Sequence, residues 1–487
     1  MRVALSRRNT SALTTGVALI AAVSLLIGCG PQRVAGTAVP FGGLDPATVA
    51  GLPVTHGPSG PREGAPRIDL TYENGNGGEM DRLAMSAVAD LYDYWATEYP
   101  DTFDGLAFEP VARLASYDAE QSPIVICGMD TSGVPNAFYC PPEDAIAWDR
   151  GVLMPMLDQQ FGPMAVVTVL AHEMGHAVQY KSGNMTADMP TILAEQQADC
   201  YAGGYFRYIA DGDSPYFEVS TGEGLNAILA ALFSIRDQAG TDFRGPQAHG
   251  NAFDRTTAFI FGFSDGASRC AEMDVEEMQQ RITQLEFAES DATGQLEVNE
   301  QHVALVEQSL AEVFAEELDQ APTLDLSGTN CGETEPAAYC VEGNSIGLDM
   351  PELAAIGTPP TPGGDPSAAG IGDFAAFAEI ASRYTMAVQE QAGLSLEGQS
   401  AGLRTACLTG SWAGMLMPNR SPDATSYAGL RISPGDLDEA VAELLSQDSL
   451  IAADVDGASV PSGFARVEAF QVGFEEGNDP CTEQFGD

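Results

Sequence analysis

The chain reads as an α+β protein, mainly α, and three observations predict that class. Helical periodicity recurs at 80–98, 222–236, 299–318, 373–392 and 434–445. Strand signals are few and short, with 111–116 and 124–127 the clearest. The third observation is internal: a pattern of fixed residues near position 260 returns near position 470, so one α-rich domain is expected twice in tandem.

In chain order, the first element is a leader. Arg2, Arg7 and Arg8 precede an apolar run that ends in Leu26-Ile27-Gly28-Cys29. A basic start with a short apolar stretch predicts a secretory signal over residues 1–28 rather than a spanning helix. Small residues before a cysteine resemble the bacterial lipobox, which implies cleavage before Cys29 and a diacylglycerol on its sulfur. The chain is then expected at the outer face of the cell membrane, held by lipid. Residues 29–75 are rich in Gly, Pro and small side chains and are expected to form a flexible tether. Two domains of similar length follow, at 76–285 and 286–487.

The next informative element lies at residues 171–179, where His172, Glu173 and His176 make an H-E-x-x-H motif. On a helix, residues i and i+4 share a face, so both imidazoles aim at one point. The apolar residues 164–170 are expected to belong to the same helix and carry it into the core. Glu195 follows 19 residues after His176, and Asp199 lies four further on, so a second helix presents both carboxylates together. Two histidines and a glutamate are a standard zinc set that leaves a fourth position for water. Glu173, which is not a ligand in that set, is placed to take a proton from the water. Asp199 is expected to accept a hydrogen bond from the far nitrogen of one ligand histidine. Gly175 costs about 1 kcal/mol against Ala in mid-helix, and a backbone packed closely against it would account for it.

These motifs, with their neighbours, resemble a known family. Asn136 to Pro141, Asp149, His172 to Gln179, Glu195 to Gly203, His249-Gly250, and Arg255 to Cys270 are similar, in this order, to the bacterial neutral zinc metallopeptidases, a gluzincin-like group. The likeness runs from about residue 80 to 272. It implies a zincin-like pairing of the motif helix with a second ligand helix, zinc on His172, His176 and Glu195, and Glu173 as the base. The chain departs slightly, with Gln196 where relatives carry Leu, and the ligand position is unaffected. His249 has two open roles: stabilising the oxyanion of a tetrahedral intermediate as part of the catalytic set, or fixing a loop by a hydrogen bond.

The repeat is read from particular positions. Arg466, Phe470, Gly473, Phe474, Gly477 and Cys481 match Arg255, Phe259, Gly262, Phe263, Gly266 and Cys270. Offsets drift only from 200 at Cys140/Cys340 to 211 at Cys270/Cys481. Apart from Cys29, the cysteines number eight, an even count in an exported chain, so disulfides are expected. The repeat pairs them in parallel: Cys127 with Cys140 as Cys331 with Cys340, and Cys200 with Cys270 as Cys407 with Cys481. In the second copy Ser382, Arg383 and Met386 stand where the first has His172, Glu173 and His176, and the Glu195 position falls near Gly402. That copy is expected to hold no zinc, which predicts one Zn²⁺ per chain. Its role is either structural or to shape the cleft of copy one.

A formal net charge of −49 argues against nucleic acid as a partner and against a polybasic lipid-binding face. The expected function is a membrane-anchored, exported zinc metallopeptidase acting on a peptide or protein. The alternative is a non-catalytic surface lipoprotein that binds a protein or cell-envelope partner and uses zinc only structurally. An intact Glu173 beside the ligands separates the two, since a structural site has no use for a base.

Overall fold

A computed structural model describes residues 47–485, apart from 187–188, 238–240, 242–244, 246–247, 282–293, 330–333, 360–369, 419, 421–422, 424 and 448. Cys29 and the leader therefore lie outside the described residues. The class is α+β, mainly α: long helices surround small sheets.

The helix carrying the motif is Pro163–Ser182. Pro163 sits at its first position, where a missing N–H costs nothing, and Gly183, at φ +78°, ends it in the left-handed conformation. Apolar residues Met164, Val166, Val167, Leu170, Ala171 and Met174 are all buried, so the helix runs through the core rather than along it. The next helix, Thr191–Ala210, is also almost wholly buried. A Cβ at Gly175 would lie 2.9 Å from the Cα of Ala198. Glycine there lets the two helices touch backbone to backbone, which brings residues 195 and 199 to the motif. A third helix, Ala252–Asp265, packs on Thr191–Ala210 equally closely: a Cβ at Gly262 would collide with the carbonyl of Cys200.

Beside the motif helix lies a three-stranded sheet. Strand Ala145–Asp149 is central, with Arg113–Tyr117 parallel on one side and Ala137–Cys140 antiparallel on the other. The expected strand 111–116 is found at Arg113–Tyr117, and 124–127 shrinks to Val125–Ile126, half of a short hairpin with Met129–Asp130. The other two strands of the sheet carry no alternation signal, because Ala145–Asp149 is buried on both faces.

The second half repeats these relations. Thr323–Asp325, Ser345–Leu348 and Ala337–Cys340 form a sheet of the same order and directions, and Tyr339 pairs with Ile346 as Tyr139 pairs with Ile146. Helices Asp373–Gln391, Gln399–Met415 and Gly463–Glu476 follow. A Cβ at Gly473 would strike the carbonyl of Cys407, as one at Gly262 would strike that of Cys200. Disulfides Cys127–Cys140, Cys200–Cys270 and Cys407–Cys481 are formed. Cys331, the expected partner of Cys340, lies outside the described residues.

The halves share a buried apolar seam. Phe253 packs on Phe470 and Phe474, and Phe263 on Phe464.

One sequence expectation is corrected. Residues 47–75 are not a free tether, because they are bound to the body. Gly60–Pro61 pairs with Phe217–Glu218, Arg62 Nε donates to the carbonyls of Ser214 and Phe217, and Thr55 and Thr221 exchange hydrogen bonds. Backbone pairing needs no apolar periodicity, so composition alone could not reveal it.

Candidate metal centre and active site

One turn of helix separates His172 from His176, and their rings meet edge to face with centroids 4.7 Å apart. Glu195 reaches across from the second helix. Its Oε2 lies 3.1 Å from His172 Nε2 and its Oε1 3.4 Å from His176 Nε2. A tetrahedral zinc with bonds of about 2.0–2.1 Å separates its donors by about 3.3 Å; both carboxylate–imidazole separations match it, and one ligand atom from each of the three side chains lies within 4.8 Å of the others.

The opposite ring nitrogens are both anchored. His172 Nδ1 lies 2.7 Å from Asp199 Oδ1, and His176 Nδ1 lies 2.9 Å from Gln179 Oε1. The acceptors require that each Nδ1 carry the proton, which leaves each Nε2 lone pair directed at the shared point. Asp199 is itself held by Arg255, whose Nε and Nη2 donate to Oδ2 and Oδ1 at 2.9 Å each. Gln179 is fixed by donating to the carbonyl of Ala194 at 2.7 Å and to Gln197 Oε1 at 3.0 Å.

Electrostatics follow from this packing. Burial favours a neutral His172, yet Asp199 and Glu195 outweigh it and push its pKa up to about 10. Burial also opposes the charge on Glu195, but the two imidazoles hold its carboxyl well below the usual range. Glu173 behaves differently. Burial raises its pKa above the ordinary carboxyl value despite the neighbouring histidines. One oxygen accepts the N–H of Tyr139 at 2.8 Å, so the edge strand Ala137–Cys140 fixes the side chain.

A cleft opens beside His172 and Glu173, walled by Leu153, Val169, Leu232 and Ile235 and rimmed by His249. His249 is half exposed, and its N–H donates to Asp237 Oδ2 at 2.7 Å while its Nδ1 stands 3.5 Å from Asp237 Oδ1. The structure thus shows the loop-fixing contact and also places the ring at the cleft.

The positions in the second half that align with the motif carry different chemistry. Ser382 donates to its own helix at Glu379, and the Arg383 guanidinium is buried against the carbonyls of Leu450, Ala453 and Asp454. Arg466 persists, while Ala406 replaces the aspartate that Arg255 clamps in copy one.

The family whose model is described as "Putative neutral zinc metallopeptidase" matches residues 6–273. The chain belongs to this family. Among its relatives, a protein of Mycobacterium bovis (strain ATCC BAA-935 / AF2122/97) and proteins of two Mycobacterium tuberculosis strains, CDC 1551 / Oshkosh and ATCC 25618 / H37Rv, all described as uncharacterized, are 32% identical over 162 residues. The match covers 29% of this chain and 55% of theirs, so the chain spans about half the length of the curated relatives it matches. No solved structure matches this zinc metallopeptidase family member.

Proposed function

We propose that the chain is a zinc-dependent peptidase in which His172, His176 and Glu195 hold one zinc and Glu173 moves the proton. What supports this is the meeting of two imidazoles and one carboxylate, with Glu195 3.1 and 3.4 Å from the two Nε2 atoms, and a second, strand-fixed carboxylate facing the cleft. When bound, zinc supplies Lewis acidity toward a carbonyl oxygen and toward water. Glu173 takes a proton from the attacking water and returns it to the leaving amine, a task suited to a carboxyl whose pKa lies above the ordinary value. Asp199 and Gln179 keep both imidazoles in one tautomer throughout. The apolar wall of Leu153, Val169, Leu232 and Ile235 excludes water and receives a substrate side chain.

In this reading the protein is exported and held at the outer membrane face through lipid on Cys29, with copy two as a ligand-free partner domain. Among the described residues no helix is long and apolar enough to cross a membrane. The test is metal analysis and peptide-library hydrolysis of the purified chain and two variants. One zinc per chain is expected, with Glu173→Gln keeping it and losing hydrolysis, and His176→Ala losing both. Undiminished hydrolysis by Glu173→Gln, or two zincs per chain, would overturn the assignment.

A further inference from the structure

Away from the His172 centre, a second group of metal-ligating side chains converges among the described residues. Asp373, Asp436 and Glu439 each offer a carboxylate oxygen, and these oxygens lie within 4.8 Å of one another. Asp373 opens the helix Asp373–Gln391, while Asp436 and Glu439, three apart on Pro434–Leu445, share a face of that helix.

This is not a solvated acidic face. Asp373 is 2% exposed and Asp436 5%. Their hydrogen-bond partners are neutral. Gln295 Nε2 donates to Asp373 Oδ1 at 2.5 Å and to Glu439 Oε1 at 2.7 Å. The N–H groups of Leu296, Phe374 and Ser433 serve Asp373 Oδ2, Glu439 Oε2 and Asp436 Oδ2. Among the described residues no Lys or Arg pairs with any of the three.

One oxygen is left over. Asp436 Oδ1 is buried without any hydrogen-bond partner. An unserved buried carboxylate oxygen costs on the order of 1–3 kcal/mol or more, and two buried carboxyls beside the half-buried Glu439 without a counter-charge repel one another. Burial pushes Asp373 up to about 6, and burial together with the charges of Asp436 and Asp373 pushes Glu439 up to about 9. Either the group shares protons or it holds a cation.

We propose that Asp373, Asp436 and Glu439 form a binding site for one hard divalent cation of the calcium type. An all-oxygen donor set of carboxylates selects such an ion over zinc, and calcium tolerates irregular geometry better than magnesium. The ion would tie Pro434–Leu445 to Asp373–Gln391. The same helix carries Asp438, which accepts the N–H of Ala252 at 2.7 Å and Arg236 Nε at 2.9 Å. It therefore caps the helix that bears Arg255. The cation would stiffen a brace that reaches the His172 centre from copy two.

The experiment titrates calcium chloride into the full chain, stripped of metal and reloaded with one equivalent of zinc, by calorimetry and by thermal unfolding. One calcium per chain is expected, with a raised Tm. Asp436→Asn and Glu439→Gln should each weaken calcium binding by about ten-fold or more while zinc content stays unchanged. Both are isosteric and relieve repulsion; if one fails to fold, the other carries the test. Absence of calcium heat and of any Tm shift up to about 10 mM, above the range of weak extracellular sites, would overturn the site. So would calcium binding that neither variant weakens. Variants that raise Tm in a wild-type background that binds no calcium would identify a proton-sharing acid cluster only.

Discussion

Arg255 grips Asp199 with two parallel hydrogen bonds, Nε to Oδ2 and Nη2 to Oδ1, each 2.9 Å long. Both residues are almost fully buried. Burial works against the Asp199 charge, but Arg255 and His172 hold its carboxyl below the ordinary value. The ionised Asp199 in turn fixes His172. Arg255→Ala would strand that carboxylate without a cation, a loss of about 3–5 kcal/mol in stability and of about 10–100-fold in zinc affinity. Arg255→Lys should recover only part, because a lysine cannot form the two-pronged contact. Chemical denaturation and competition with a zinc chelator measure the two effects. Unchanged zinc affinity in Arg255→Ala would show that Asp199 orients His172 unaided.

Gln179 does for His176 what Asp199 does for His172. Gln179→Ala should lower zinc affinity by about ten-fold, with less loss of stability than Arg255→Ala because no buried charge is exposed. The same chelator competition reads it. An effect as large as that of His176→Ala would mean Gln179 supports the helix pair rather than the ring alone.

The histidine motif and the Glu195–Asp199 pair were legible because helical spacing alone places i and i+4 together. Arg255 and Gln179 were visible as repeated letters, but their partners depend on how closely three helices pack. That approach is set by Gly175 and Gly262, whose neighbours no local pattern names. The repeat itself does not mark chemistry. Arg466 and Gln389 survive in copy two, where Ala406 and Met386 have removed their copy-one partners. Strand Ala145–Asp149 escaped notice because burial on both faces erases the period-two pattern.

The two close helix crossings offer a paired test. Gly262→Ala and Gly473→Ala would each drive a methyl group into a backbone carbonyl, of Cys200 and Cys407 respectively. The disulfides Cys200–Cys270 and Cys407–Cys481 pin the same helices and limit relaxation. Each substitution is expected to cost about 1–3 kcal/mol. Only Gly262→Ala should also weaken zinc binding, since its helix carries Arg255. Equal loss of zinc affinity in both would mean the metal centre feels the packing of copy two directly.

Stability should fall as pH rises from about 4.5 to about 8, in part through Glu468. This side chain is 3% exposed, its Oε2 lacks a partner, and burial with the nearby Asp265 pushes its pKa up to about 8. Between the unfolded value and 8 the native state keeps a proton that the unfolded chain releases, so the favourable contribution is complete below about 4.5 and lost above 8. A few kcal/mol is the order expected for one such group. Glu468→Gln should flatten this part of the profile and stabilise the protein most at alkaline pH. Urea midpoints across pH 5–9 measure it; parallel profiles for the two proteins would sink the assignment.

The last prediction concerns the dependence of copy one on copy two. Each has its own helices and disulfides, which by themselves favour independent folding. The seam between them argues the other way. Ending the chain near residue 285 would expose Phe253 and Phe263, which pack on Phe464, Phe470 and Phe474. It would also remove Asp438 from the start of Ala252–Asp265 and from Arg236, and the N–H of Gly463 that donates to Asn226 Oδ1. Burying an aromatic side chain contributes on the order of 1.5–3 kcal/mol, so loss of two is comparable to a large part of a domain's net stability. The fragment is expected to be poorly soluble, to unfold at a lower temperature, and to bind zinc more weakly because Arg255 sits on the uncapped helix. Supplying residues 286–487 as a second chain should restore both solubility and zinc affinity. A fragment with full-length stability and zinc affinity would show that the seam is incidental and that copy two has no part in holding the metal centre.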